Sequence, residues 1–357
     1  MLAIVSTNLN KYSETFIASH REYLDVDVLN LFDGYLPMKY FFGSKTETQF
    51  QILSKDRETQ KHEIKKLFIQ YHVHTVLAEY GPSGAEMFEI CFELEIPLIV
   101  HFHGYDAYRS DILQSYGKGY PEMFSKMSAA VVVSNDMKNQ LVKLGCDPEK
   151  IFLIPYGIEL KYFYQPSKTT MGLRLVSCGR FVEKKSPERI LMAFAGAKDV
   201  YPDLSITMIG DGELLYSCQE LAKKLNIEKD VDFTGVLPPQ RIAEIFKESS
   251  IFLQHSIVTD MGDSEGTPLA ILEAGASGLA VIATRHAGIP DVVEDEINGY
   301  LVEEKDVQTM TDRIVYLVKN PNKAIVFGRK LQEKVVQSYS MERYISDLKN
   351  LIQNFRS

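Results

Sequence analysis

Apolar residues along this chain fall into short, β-branched runs separated by longer stretches of helical periodicity. LAIV (2–5), TVLA (75–78), PLIVHF (97–102), AAVVVS (129–134) and IFLIPY (151–156) are continuous rather than alternating, as strands buried on both faces require. Between them, Glu58–His72, Ser83–Leu94 and Asp136–Leu144 read as helices. The polar, proline-containing YQPSKTT (164–170) reads as a linker, after which the alternation restarts. LRLVSCG (173–179), LSITMIG (204–210), VDFTG (231–235), SIFLQHS (250–256), AVIAT (280–284) and GYLV (299–302) are the strands of this second half. Strands alternating with helices predict a covered parallel sheet, and hence an α/β chain of two Rossmann-like domains, 1–165 and 166–340. MERYISDLKNLIQNF is periodic at helical spacing, so 341–357 is expected to form a closing helix that packs back toward the first domain. Two such domains face each other across a cleft, and open α/β sheets bind ligands beyond the carboxyl ends of their strands. The residues after each apolar run are therefore the ones to inspect.

Composition narrows the function classes. The 357 residues suit two domains, each able to bury a core. The formal net charge is −9, and both halves are net acidic, which argues against a nucleic-acid partner. Cys91, Cys146, Cys178 and Cys218 form no CxxC pair, so neither a zinc ribbon nor a redox motif is indicated; free thiols in a reducing cytoplasm are expected. MLAIVSTN lacks the basic and apolar regions of a signal peptide, and no run is long enough to span a bilayer.

The most informative stretch is SEGTPLAILEAGASG, 264–278. Thr267 followed by Pro268 predicts a helix with Thr267 as N-cap, running from Pro268 to Ser277 and ended by Gly278. The first free amides, near Leu269, would form an anion site with the helix dipole, and Gly266 lets a ligand approach the backbone. Such a helix start is also an ordinary feature of a strand–loop–helix connection. Glu273 sits within an apolar run, where an unpaired carboxylate costs several kcal/mol, so a partner is expected: a neighbouring Arg or Lys, or the vicinal hydroxyls of a ribose. Glu265 lies on the other side of the anion site. After LRLVSC, Gly179, Arg180 and Lys185 follow a strand end, where the two cations would meet a diphosphate or remain solvated surface charge.

Together these segments resemble a retaining glycosyltransferase of family 4, with the GT-B fold. GRFVEKKS (179–186), MIGDGEL (208–214), EGTPLAILE (265–273) and AGIPDVVEDEINGYLV (287–302) resemble that family's motifs in order and spacing. In the first half HFHGYD (101–106), VVVSNDMKNQLVKLGCDPEKI (131–151) and IPYGIE (154–159) do so, and NKYSETFI (10–17) is similar to bacterial exopolysaccharide glycosyltransferases of the colanic-acid and amylovoran type. The resemblance implies a nucleotide-sugar donor, UDP- or GDP-linked, and a glycan or lipid-linked acceptor. It places Arg180 and Lys185 on the leaving diphosphate, Glu273 on the ribose, Glu265 on the sugar, and backbone at Gly266, Thr267, Pro268 and Leu269 on sugar or phosphate. His103 would orient the sugar, and Gly179, Gly210 and Val236 would flank the nucleotide. Asn10, Ser13, Glu14 and Asp106 would border phosphate and acceptor, although this opening loop lacks the Gly-Gly pair common in the family.

Other signals carry less. The His-x-His pairs His72/His74 and His101/His103 lack further ligands at metal spacing, and Asp25/Asp27 and Asp230/Asp232 flank predicted strands as polar positions. No metal and no cofactor are therefore expected, the cations and helix dipole serving the diphosphate instead. Gly210-Asp211-Gly212 lacks the third glycine of a dinucleotide fingerprint. Basic and aromatic residues over 39–72 suit peripheral contact with the inner face of a membrane, or simply a solvated helix face. The rival functions are a nucleotide-sugar epimerase of the same fold and a non-catalytic nucleotide-sugar-binding subunit.

Overall fold

The computed structural model describes residues 1–9, 15–43, 50–166 and 168–355. It divides into two compact units, Met1–Tyr156 with Glu342–Ser357, and Gly157–Met341. The expected site residues Asn10, Ser13 and Glu14 lie outside the described residues.

The first unit is built on eight strands: β1 (Leu2–Val5), β2 (Val28–Phe32), β3 (Lys39–Phe42), β4 (Gln51–Ile52), β5 (Thr75–Glu79), β6 (Leu98–His101), β7 (Ala129–Val132) and β8 (Ile151–Leu153). Their order is β4-β3-β2-β1-β5-β6-β7-β8, parallel except for β3, which runs antiparallel to both neighbours. The order reverses between β1 and β5, so the crevice of this sheet lies beyond Val5 and Glu79. Helix Met341–Asn354 belongs to this unit from Glu342 onward, and buries Tyr344, Ile345, Leu348, Leu351 and Ile352 on one face. That spacing of three and four residues is the amphipathic stripe its sequence shows.

The second unit has six parallel strands: β9 (Arg174–Cys178), β10 (Ser205–Ile209), β11 (Val231–Gly235), β12 (Ile251–Gln254), β13 (Ala280–Thr284) and β14 (Tyr300–Val302). All six coincide with the apolar runs, in the order β11-β10-β9-β12-β13-β14. The switch point is therefore between β9 and β12. Phe163, just before the polar stretch that reads as a linker, is buried in this unit's core beside Phe246. The chain thus enters the second unit ahead of that stretch, at Gly157. All four cysteines are free, and burial pushes their thiols up, those of Cys146 and Cys218 to about 12. No helix among the described residues is long and apolar enough to cross a membrane. Several cations of the basic stretch 39–72 have acidic partners: Lys39 with Asp33, Arg57 with Glu86, Lys61 with Glu89 and Lys65 with Glu93.

Candidate functional site

At the switch point of the second sheet, β9 ends in Cys178 and the chain turns through Gly179 and Arg180. Gly179 N–H donates to Ile209 C=O at 2.9 Å, which ties this turn to the end of β10. Gly210 follows with φ +130°, and a Cβ there would lie 2.0 Å from Gly179 O. Only glycine fits that conformation and that approach. A small pocket opens here, lined by Cys178, Gly179, Arg180, Lys185, Met208 and Gln254. Arg180 is exposed, and no carboxylate among the described residues pairs with it. The short 3₁₀ turn Glu183–Lys185 carries two cations: Lys184 pairs with Asp263 at 3.0 Å and Lys185 with Glu265 at 3.2 Å. Val236, by contrast, stands exposed just past β11, with Gly235 C=O accepting from Gly210 N–H.

The helix of the SEGTPLAILEAGASG stretch spans Leu269–Ala276, with Pro268 as N-cap. It starts one residue later than the Thr-Pro signal predicts, because Pro268 adopts an extended ψ of 113°. Gly278, φ +72°, ends it as expected. Glu265 precedes this helix and is buried. Burial opposes its ionisation, but Lys185 and Lys184 outweigh that and hold its pKa down to about 2. Its Oε2 faces Lys185, while Oε1 is buried without a hydrogen-bond partner among the described residues. Glu273 is the converse case. No cation among the described residues pairs with it, and its apolar surroundings push its pKa up to about 7. The salt bridge that would have explained it is not there. Cys178 feels the charges of both Glu273 and Lys185, so the two carboxylates and the lysine gather around the end of β9.

A residue that the sequence did not single out holds this loop. His286, two residues past β13, is buried, and its Nε2 lies 3.1 Å from the backbone N of Glu265 and 3.2 Å from Ser264 Oγ. Its Nδ1 lies 2.6 Å from Glu304 Oε1, and Glu304 Oε2 accepts from Val258 N–H at 2.9 Å. The only available signal was position, a polar residue directly after an apolar strand.

In the first unit, His103 and Asp106 follow β6. Asp106 is buried and accepts from the N–H groups of Gly81, His103 and Gly104. Burial raises its pKa above the usual range despite those three donors. It shapes the strand-end loop by gathering these three amides. His103 uses both ring nitrogens internally, Nδ1 with Tyr156 Oη at 2.6 Å and Nε2 with Glu79 Oε2 at 2.8 Å. In this arrangement neither is left for a sugar hydroxyl. Glu79 also bonds His20 Nδ1 at 2.6 Å, and His20 Nε2 bonds Tyr344 Oη at 2.5 Å. A buried chain Tyr344–His20–Glu79–His103–Tyr156 results, and it went unrecognised in the sequence. His20, Glu79 and His101 also bring potential metal-ligand atoms within 4.8 Å of one another, but hydrogen bonds already engage both nitrogens of His20.

Two family models match in tandem: "Glycosyltransferase Family 4" over residues 56–162 and "Glycosyl transferases group 1" over 161–334. The chain is similar to the putative colanic acid biosynthesis glycosyltransferase WcaL of Salmonella typhimurium, 28% identical over 284 residues, 78% of this chain and 70% of that protein. It is 32% identical over 211 residues to the amylovoran biosynthesis glycosyltransferase AmsK of Erwinia amylovora, covering 58% of this chain and about half (52%) of that protein. Among solved structures it resembles HepE of Anabaena in complex with UDP, with a TM-score of 0.81, 13% identity and 99% coverage of both chains. At that identity the likeness speaks for the fold.

Proposed function

The chain belongs to the glycosyltransferases these two models describe, and has their GT-B fold of two Rossmann-like units; from that premise we propose that it moves a sugar from a UDP- or GDP-sugar to a hydroxyl of a glycan or lipid-linked acceptor, with retention at the anomeric carbon and without a divalent metal. The names of WcaL and AmsK, and the UDP held by HepE, favour a nucleotide-sugar donor and a role in building a bacterial surface polysaccharide. The observation that carries the reading is Glu273, a carboxyl with no cation beside it among the described residues, set in the helix after the SEGTP loop and next to the end of β9. Ribose hydroxyls are the partner its geometry lacks.

The other groups divide the work around it. Arg180 and Lys185 neutralise the diphosphate, Lys185 exchanging Glu265 for phosphate oxygen as the donor enters. Amides at the start of helix Leu269–Ala276 add the helix dipole. The free Oε1 of Glu265 accepts from a sugar hydroxyl. Gly179, Gly210 and Val236 flank the nucleotide. In the reaction the bond from the anomeric carbon to the diphosphate oxygen breaks as the bond to the acceptor oxygen forms on the same face. The acceptor's proton passes to the departing phosphate. Glu265 is held by a lysine and is not assigned the nucleophile's role of a retaining glycosidase. Charge on Arg180, Lys185 and the helix start stands in for a metal on the leaving group. Peripheral contact of the segment 39–72 with the inner membrane face would bring a lipid-linked acceptor within reach.

The test is a screen of UDP-, GDP- and ADP-sugars for thermal stabilisation and nucleotide release, with and without EDTA. At least one donor raises the melting temperature and is turned over, and EDTA leaves the rate unchanged. No shift with any donor rejects the function, and loss of turnover in EDTA rejects metal independence.

A further inference from the structure

The direction of one hydrogen bond can be deduced without seeing a proton. A backbone N–H can only donate, so His286 Nε2, 3.1 Å from the amide of Glu265, must accept. An imidazole that accepts at Nε2 carries its proton on Nδ1, and that proton meets Glu304 Oε1 at 2.6 Å. Glu304 is fixed in turn by the amide of Val258. A relay therefore runs from the end of β14 through a buried imidazole to the backbone of the acid that precedes the helix. The same loop is anchored again where Gly288 N–H donates to Gly266 C=O at 3.2 Å. None of these contacts is needed to pack a core: His286 stands among polar atoms, and a leucine there would leave the Glu265 amide without its acceptor.

We propose that His286, held in its Nδ1–H tautomer by Glu304, is a positioning residue that sets the backbone of Glu265 and so aims its carboxylate at the sugar of the donor. The inference rests on the donor site proposed above, and it names a determinant of sugar handling rather than of nucleotide binding. Glu265 has one oxygen on Lys185 and the other unpartnered among the described residues, so a small rotation of its backbone displaces the oxygen that would meet the sugar. Arg180 lies on another segment and Glu273 further along in the helix beyond this loop, and neither side chain touches the relay among the described residues.

Four measurements test it. In ¹⁵N-histidine-labelled protein, the imidazole resonances that vanish in His286→Phe should show the Nδ1–H tautomer; an Nε2–H tautomer overturns the proposal. Against whichever of UDP-glucose, UDP-galactose, UDP-N-acetylglucosamine and GDP-mannose the wild type turns over, His286→Phe should lower kcat/KM by about 10- to 100-fold, the scale of one unsatisfied buried donor. Affinity for free UDP or GDP should stay within about 2-fold. His286→Gln, which keeps an acceptor near the position of Nε2, should recover most of the loss. A parallel fall in diphosphate affinity, or a glutamine variant as impaired as phenylalanine, shows a structural role only. If the wild type turns over no donor, the proposed function fails by itself, and the relay is still judged by hydrogen exchange at the Glu265 amide. That exchange should accelerate at least about 10-fold in His286→Phe, and unchanged exchange overturns the inference.

Discussion

Glu273 opposes stability at neutral pH, and under the proposed function the same buried carboxyl binds the donor. Its pKa is raised from 4.5 to about 7 in the folded protein by burial alone. The folded state therefore holds its proton more tightly than the unfolded chain, and stability falls as pH rises from about 4.5 to about 7, then levels off. At about 1.4 kcal/mol per unit, the loss is on the order of 3 kcal/mol. Glu273→Gln should remove it: equal to wild type near pH 4.5, and roughly 2–3 kcal/mol more stable at pH 8 by denaturant titration. The same variant should bind nucleotide more weakly, since an amide grips a diol less well than a carboxylate. A pH-independent difference between the two proteins would mean that Glu273 has a partner after all.

At the scale of elements, what the sequence revealed follows from how far each signal is local. The six strands of the second sheet were readable because each is a short apolar run, buried on both faces and bounded by turn residues. β2 was not, because Asn30 interrupts VLNLF; its side chain is buried and donates to Gly43 C=O at 2.7 Å, a partner thirteen residues away. The edge strand β4 and its neighbour β3 are short and partly exposed, and leave no periodic trace. The arginine, lysine and two glutamates of the candidate site were visible because two short motifs carry them. His286 and Glu79 were not, because their partners come from distant segments. The Glu79 chain joins Tyr344 of the last helix to residues of α1 (Thr15–Tyr23), β5, β6 and the stretch ending at Tyr156. Burial opposes ionisation of Glu79, yet His20 and His103 hold it well below the usual carboxylate range. A depressed acid stabilises the fold above its unfolded pKa and loses that contribution as pH falls below it. Glu79→Ala should therefore cost about 3–5 kcal/mol at pH 7, as when one partner of a buried pair is removed. The gap to wild type should narrow below about pH 4.5. Glu79→Gln, which keeps an acceptor, should cost less. Equal urea midpoints for wild type and Glu79→Ala at pH 7 would remove the chain from the account of stability.

For the molecule as a whole, the groups assigned to the donor, Arg180, Lys185, Glu265, Glu273 and the helix start between them, all belong to the unit Gly157–Met341. Binding to one unit stabilises that unit by mass action, about 2.7 kcal/mol at a ligand concentration 100 times Kd. Hydrogen exchange with saturating UDP or GDP should therefore slow most in peptides covering 178–186 and 264–274. It should change least in the strand peptides of the other unit, such as β7, which have no part in the donor assignment. Replacing Arg180 by alanine should reduce the protection at 178–186 by weakening the diphosphate contact while leaving the unliganded exchange of β9 as it was. Adding EDTA should leave the pattern intact if, as proposed, the charge opposite the diphosphate comes from side chains and a helix end. Strongest protection in Met1–Tyr156 would move the nucleotide to the other sheet, whose own switch point lies beyond β1 and β5, and would reverse the assignment of donor and acceptor units.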